Sequence, residues 1–286
     1  MLENVSPVIR AALWMGGALT SFMAMAVAGR ELSSELNTFQ ILFFRSLVGL
    51  VVVSLLLQKS GWGQIKSGRP GIQFIRNIFH YGGQYGWFYG IAFIPLAEVF
   101  AIEFTVPIWT VLLAAVILGE KITKFKVAAV VLGFIGVLVI LRPGSVPVSV
   151  AAFAVLACAF CYATAHTLTK LLTRTDSPLC IIFYMTVIQL PLGLLGALDN
   201  WKWPTMEAWP WLVLVGATAL SAHYCMARAF KLADATVVVP MDFLRLPLVA
   251  VVGYLFYNEA LDVWVAVGAA IVFVGSYINV KAPVKT

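Results

Sequence analysis

Charge is what this 286-residue chain has least of: 11% of its residues are Asp, Glu, Lys or Arg, 62% are hydrophobic, and mean hydropathy is +0.95. A soluble globule of this length needs more polar surface, so a water-soluble enzyme or binding module is excluded and the chain is expected in a lipid bilayer. Histidine is scarce too, limited to His80, His166 and His223. With no metal-ligand spacing, no phosphate-cradling glycine loop and no nucleophile with its base and acid, neither enzyme chemistry nor a cofactor is expected. The four cysteines, Cys158, Cys161, Cys180 and Cys225, all fall in apolar stretches. Cys158 and Cys161 form a C-x-x-C at lipid depth with no strand before it, which reads as packing rather than redox chemistry.

Long apolar runs are abundant. About 20 helical residues span the hydrocarbon, and ten such runs stand at 8–28, 38–58, 72–93, 96–118, 124–141, 149–170, 178–198, 208–230, 235–257 and 261–280, separated by short polar or Pro/Gly breaks. A net charge of +6 would suit a nucleic-acid partner, but the positions of the basic residues explain it otherwise. With ten spans, 14 of the 19 Lys and Arg fall on the side of Arg10, Lys59, Arg76, Lys124, Lys170, Arg228, Lys281 and Lys285; Arg30, Arg142 and Lys202 fall on the other, and Arg45 and Arg245 lie inside spans. By the positive-inside rule both termini are expected in the cytoplasm, and no nucleic acid is needed.

Shifted by 139 residues, the chain lies on itself without a gap. The register pairs Asn37 with Asp176, Tyr85 with Tyr224, Glu103 with Asp242 and Glu120 with Glu259. A unit with an odd number of spans sits upside down relative to its copy, so two inverted five-helix repeats are expected, over 8–142 and 147–281. Arg10, the following apolar run and Ala26-Val27-Ala28 also resemble a signal peptide and its cleavage site. The repeat argues for retention, because cleavage would delete the mate of span six.

Several patterns resemble the EamA family of the drug/metabolite transporter superfamily. The stretch from Pro107 to Gly119-Glu120, followed by Gly133 and Gly136, looks like the end of an EamA unit, and Gly253 to Asn258-Glu259, followed by Gly268 and Gly275, looks like its second copy. Arg45 after Phe43-Phe44 matches an arginine often found in the family's second span. The resemblance implies an all-α membrane protein of ten transmembrane helices that carries small metabolites into or out of bacteria through the inner membrane. Arg76, Trp87 to Gly90, Pro95 and Asp234-Ala235-Thr236 are spaced like the branch containing S-adenosylmethionine uptake carriers. That branch has an arginine and then a glutamate in span nine, where this chain reads Asp242 and then Arg245. The substrate therefore does not carry over.

Ionisable side chains at membrane depth cost roughly 2.5–3.5 kcal/mol each on insertion scales, so each needs a reason. Glu103 and Asp242 come seven residues into spans four and nine, about 10 Å from opposite faces, where they suit a proton or a cationic group met from either side in turn. Arg245 lies one turn from Asp242, as a salt-bridge partner or as a carboxylate receptor. Arg45 is either part of a structural network or an anion site. In span three His80, Gln84 and Trp87 share one face, flanked by Tyr81 and Tyr85, and the aromatic wall can stack a ring or hold a cation. The stripe Gly82, Gly86, Gly90 is expected to pack against a neighbouring helix. His223 and Tyr224 join the candidates by symmetry, with His166, Tyr162 and Gln189 as weaker ones. Glu120 and Glu259 read as structural turns bound to the start of the following helix.

These features suggest a secondary active transporter working by alternating access around a midplane cavity, with a small-molecule substrate (aromatic, nucleoside-like, amino-acid-derived or a cationic amine) and a coupling proton or exchange. A passive facilitator of the same fold is the alternative. Direction of transport, coupling ion and a homodimeric state stay open.

Overall fold

The computed structural model describes residues 6–142, 149–260 and 262–280. Lys281, Lys285, the first residue of span ten at 261, and residues 147, 148 and 281 at the bounds of the second repeat lie outside the described residues. Among those described there are twelve α-helices and no strand: α1 (Pro7–Leu32), α2 (Thr38–Ser60), α3 (Pro70–Phe93), α4 (Leu96–Glu103), α5 (Val106–Leu118), α6 (Lys124–Leu141), α7 (Val150–Leu172), α8 (Pro178–Ala197), α9 (Trp209–Leu232), α10 (Ala235–Val238), α11 (Leu246–Tyr257) and α12 (Val263–Val280).

Helix starts are set by side chains that accept the first free backbone N–H groups. Asn37 accepts from Gln40 N at 3.0 Å, Ser149 from Ala152 N at 3.1 Å and Ser177 from Cys180 N at 3.0 Å. Two helix ends use left-handed residues: α5 stops at Gly119 (φ 72°) and α11 at Asn258 (φ 51°), which are repeat mates. Each is followed by a glutamate whose N–H returns six residues, Glu120 to Ala114 O and Glu259 to Gly253 O. The two turns are the same structure used twice.

The helices pair as an exchange of halves requires. α1 packs on α9, α3 on α7, α2 on α8, and α6 on α12. Along α1 and α9 the contacts run in opposite directions: Trp14 meets Tyr224 and Arg228, while further on Ser21 meets Ser221 at 3.0 Å. α3 and α7 do the same, from Arg76 with Thr169 at 3.1 Å to Gly90 against Val155. The glycine face of α3 is packed as its small residues predict; a Cβ at Gly86 would fall 2.6 Å from Ala154 O.

Among the described residues six stretches are long and apolar enough to cross a bilayer: Pro7–Leu32, Thr38–Ser60, Leu96–Leu118, Val150–Leu172, Pro178–Asn200 and Trp209–Leu232. α3 falls short of that measure because it buries Gln73, Arg76, Asn77, His80 and Gln84 along one side. The outward faces of α6, α11 and α12 are apolar and bare, with Phe134, Leu255, Phe256 and Phe273 exposed. Such a surface is at home in lipid rather than water.

Two expected spans are interrupted. Span four breaks at Phe104 and Thr105 between α4 and α5, just before Pro107 in the first turn of α5. In span nine the four residues of α10 lead into a 3-10 segment, Val239–Arg245, before α11. Pro240, the second residue of that segment, and Pro247, two residues past its end, have no backbone N–H. The interruptions put Glu103 and Asp242 on helix ends and tight turns.

Candidate functional site

Glu103 is the last residue of α4 and only 6% exposed, at a helix end whose dipole disfavours a carboxylate. Two donors offset that. Arg245 donates to Glu103 Oε1 at 2.8 Å, and the Trp87 indole donates to Oε2 at 2.8 Å. Arg245 also donates to Asp242 Oδ2. In a 3-10 segment side chains at i and i+3 eclipse, and this winding brings Asp242 and Arg245 together. The guanidinium lies 4.9 Å from the Phe22 ring centroid and 4.6 Å from that of Phe100, both within cation–π range.

Each carboxylate was expected near its own face, but both converge on one arginine. Two acids and one base leave a formal surplus of one negative charge. Asp242 Oδ1 and Arg245 Nε are buried without a hydrogen-bond partner among the described residues. Two small cavities of about 10 and 20 Å³ flank the cluster, sharing Glu103, Asp242, His166 and Met226 in their walls. The first extends towards Phe230, Val238 and Val239; the second is walled by Phe22, Trp87, Tyr162 and His223.

Beside the second cavity lies a chain of neutral and cationic groups. His223 meets His80 edge to face, with centroids 4.5 Å apart. Gln84 and Gln189 reach His80 Nδ1 at 2.9 and 2.8 Å, and Arg45 donates to Gln84 Oε1 at 3.0 Å. Gln189 continues to Asn77 Oδ1 at 3.3 Å, which accepts from Arg76 at 2.7 Å. No carboxylate pairs with Arg45 or Arg76 among the described residues. Two histidine rings, two guanidinium groups, two glutamine amides and one asparagine amide thus form a polar spine beside the acid cluster.

The model of the EamA-like transporter family matches residues 9–142 and 149–281, nearly the whole chain. The chain belongs to the EamA-like transporter family. It is a multi-pass membrane protein and a transporter, not an enzyme. It is 25% identical to an S-adenosylmethionine uptake transporter of Rickettsia bellii, over 91% of this chain and 89% of that one. It is 29% identical to a riboflavin transporter of Brucella anthropi (90% and 94%) and 27% identical to a pseudopaline exporter of Pseudomonas aeruginosa (89% and 90%). A solved crystal structure that is 18% identical superimposes with a TM-score of 0.71 over 94% of this chain and 95% of that one, which shows the shared fold.

Within this EamA-like transporter Trp87, Glu103, His223, Asp242 and Arg245 meet at the cavities, and His80, Gln84 and Arg45 stand in the adjoining spine. Tyr81, Tyr85 and Tyr224 stand elsewhere. Tyr85 packs on Phe39 and Tyr89 at the wall of an open groove, and Tyr224 packs on Trp14. The Tyr81 hydroxyl is buried without a partner. Tyr162 and His166, ranked low by sequence, line the cavity and stack at 5.9 Å. Arg76, counted among the loop cations, is buried at 2% exposure, and Arg228 lies over the Trp14 ring. Phe22, Phe100 and Met226 were missed because an apolar residue in an apolar helix carries no mark of the face it occupies.

Proposed function

We propose that this transporter is a secondary carrier of the bacterial inner membrane, built as ten spans in two inverted five-helix repeats over 8–142 and 147–281 with both termini cytoplasmic. The two halves move around the Glu103, Asp242, Arg245 cluster to expose it to each side in turn. The observation that carries this reading is the shared guanidinium: Arg245 compensates one carboxylate, and Asp242 keeps an unpartnered oxygen facing a cavity.

That surplus suits one positive charge at a time, so the substrate is a small organic molecule with a cationic group, held by Asp242 and Glu103 and walled by Trp87, Phe22 and Tyr162. The S-adenosylmethionine uptake transporters among the relatives support this chemistry, since that molecule carries both an ammonium and a sulfonium. A proton competing for the same carboxylate couples the two fluxes as exchange. A ligand shifts the equilibrium between the two facing states only through its different affinity for each, and neutralising a buried surplus charge supplies such a difference.

The test is uptake of labelled S-adenosylmethionine and of simpler aromatic amines into proteoliposomes with and without an imposed proton gradient. Gradient-driven accumulation that Asp242→Asn abolishes, in a protein that still inserts and folds, supports the carrier. Equilibration without accumulation would make the protein a passive facilitator. Wild-type accumulation in Asp242→Asn would remove Asp242 from the site.

A further inference from the structure

Among the described residues Glu259 binds the other half of the chain rather than the start of the helix that follows it. Its Oε1 takes Arg30 at 3.0 Å, and its Oε2 accepts the N–H of Leu96, the first residue of α4, at 2.9 Å. Arg30 in turn donates to Ile91 O and, at 3.0 Å, to Ile94 O at the end of α3. The second half of the chain thus fastens onto the first at the Arg30 end of the bundle.

The opposite end carries the same parts. Lys170, one position past the register mate of Arg30, donates to Phe230 O at 2.9 Å and Ala233 O at 2.8 Å, the register mates of Ile91 and Ile94. It also lies 3.6 Å from Asp234. Because α1 runs antiparallel to α9 and α3 to α7, Lys170 and Arg30 stand at opposite ends. Glu120 projects from the same left-handed turn as Glu259. It differs in partner. Glu120 Oε2 pairs with Lys126 of its own half at 3.1 Å, and Oε1 is buried with no hydrogen-bond partner among the described residues. Lys170 forms no ion pair with Glu120 among the described residues. At this end the first cavity reaches Val238, Val239 and Phe230, whose carbonyl Lys170 caps.

We propose that Arg30–Glu259 and Lys170–Glu120 are two alternating latches, one at each end of the carrier, of which this structure holds the first closed and the second open. In the opposite state Glu120 leaves Lys126 for Lys170 and the N–H of Ala235, the mate of Leu96, while Glu259 releases Arg30 and α4. Two like pairs at opposite ends let one closed state exchange for the other at little net cost in ion pairing, as a carrier that cycles requires. The latch rests on the alternating-access reading above and adds to it the residues that set which side is open.

The experiment places single reporter cysteines at the register mates Glu98→Cys and Val237→Cys and measures thiol labelling by a membrane-impermeant maleimide, taken over the labelling of the parent protein. Both positions are half-buried beside their latch. Glu259→Gln is expected to raise labelling at position 98 several-fold and lower it at 237. Lys126→Ala, which frees Glu120 for Lys170, is expected to lower labelling at 237, and adding Glu120→Gln to it is expected to restore that labelling. Unchanged labelling in Glu259→Gln, or loss at 237 that persists in the Lys126→Ala, Glu120→Gln protein, would overturn the latch. The failures separate: wild-type protein that equilibrates solute without accumulation defeats the carrier reading, whereas a wild-type carrier whose reporters ignore these substitutions defeats only the latch. Lys126 is a partly exposed side chain at a helix start, so its arm remains readable if Glu259→Gln does not fold.

Discussion

Arg245 and Glu103 meet at 2.8 Å across 142 residues of sequence, joining a 3-10 turn of the second half to the broken helix of the first. Removing the guanidinium would leave two buried carboxylates with no counter-charge. Arg245→Met is therefore expected to destabilise the protein by about 3–5 kcal/mol, the usual cost of orphaning a buried charge. Asp242→Asn removes the surplus charge and leaves a one-to-one pair, so its unfolding temperature in detergent should equal or exceed that of the wild type while transport is lost. A drop in Asp242→Asn as large as that in Arg245→Met would show that Asp242 holds the fold rather than the substrate.

Trp87 supplies the second donor to Glu103, at 2.8 Å, and its ring forms part of the wall of the second cavity. Trp87→Phe keeps most of the ring and deletes the N–H. A hydrogen bond to a charged group contributes about 1.5–3 kcal/mol, so Trp87→Phe is expected to weaken substrate binding roughly tenfold or more. Tyr85→Ala and Tyr224→Ala, which alter aromatic contacts outside the cavities, should leave the affinity within about twofold. Binding measured by thermal shift or by competition on the purified protein separates the two classes.

The repeat register was readable wherever the backbone demands a particular residue. Gly119 and Asn258 both occupy left-handed φ, and Glu120 and Glu259 follow them in the same turn. Asn37 and Asp176, also register mates, both anchor a loop of the other half: Asn37 reaches Asn200 O, and Asp176 gathers Ser67, Gly68 and Gln73. What stayed hidden was facing. The polar side of α3 was readable from Arg76, His80 and Gln84, but the sequence did not tell that Tyr85, flanking that side, stands at a groove while Trp87 lines a cavity. Partners were hidden as well. No spacing rule joins Glu259 to Arg30, 229 residues away.

Asp176 lies between α7 and α8 and ties the loop before α3 to the second half. Burial pushes its carboxyl up, but hydrogen bonds from Ser67, Gln73, Thr175 and the Gly68 N–H outweigh that and hold it below its ordinary value. A depressed carboxylate contributes stability that is fully present above its unfolded pKa of about 4 and is lost as pH falls through the lower folded value. Wild-type stability should therefore carry an acid-side loss below about pH 4 that Asp176→Ala lacks, with Asp176→Ala less stable at neutral pH. Thermal unfolding across pH 3 to 7 reads both, and parallel pH profiles for the two proteins would remove Asp176 from the account.

The α3–α7 seam is one of the helix contacts that join the halves, and its glycines are not equivalent. A Cβ at Gly86 would sit 2.6 Å from Ala154 O, a backbone atom that cannot step aside, and one at Gly90 would sit 2.4 Å from Val155 Cγ2. At Gly82 the nearest atom is Cys161 Sγ at 3.7 Å, an ordinary contact. Overpacking a close seam costs about 1–3 kcal/mol, whereas Gly to Ala inside a helix gains roughly 0.5–1 kcal/mol where space permits. Gly86→Ala is thus expected to lower the unfolding temperature and Gly82→Ala to hold or raise it. Because α3 also carries Trp87 and His80, Gly86→Ala should weaken substrate binding by shifting both away from the acid cluster. Equal effects of the two substitutions would mean that the seam yields, and that the position of α3 is fixed instead by the Arg76–Thr169 and Gln189–His80 bonds.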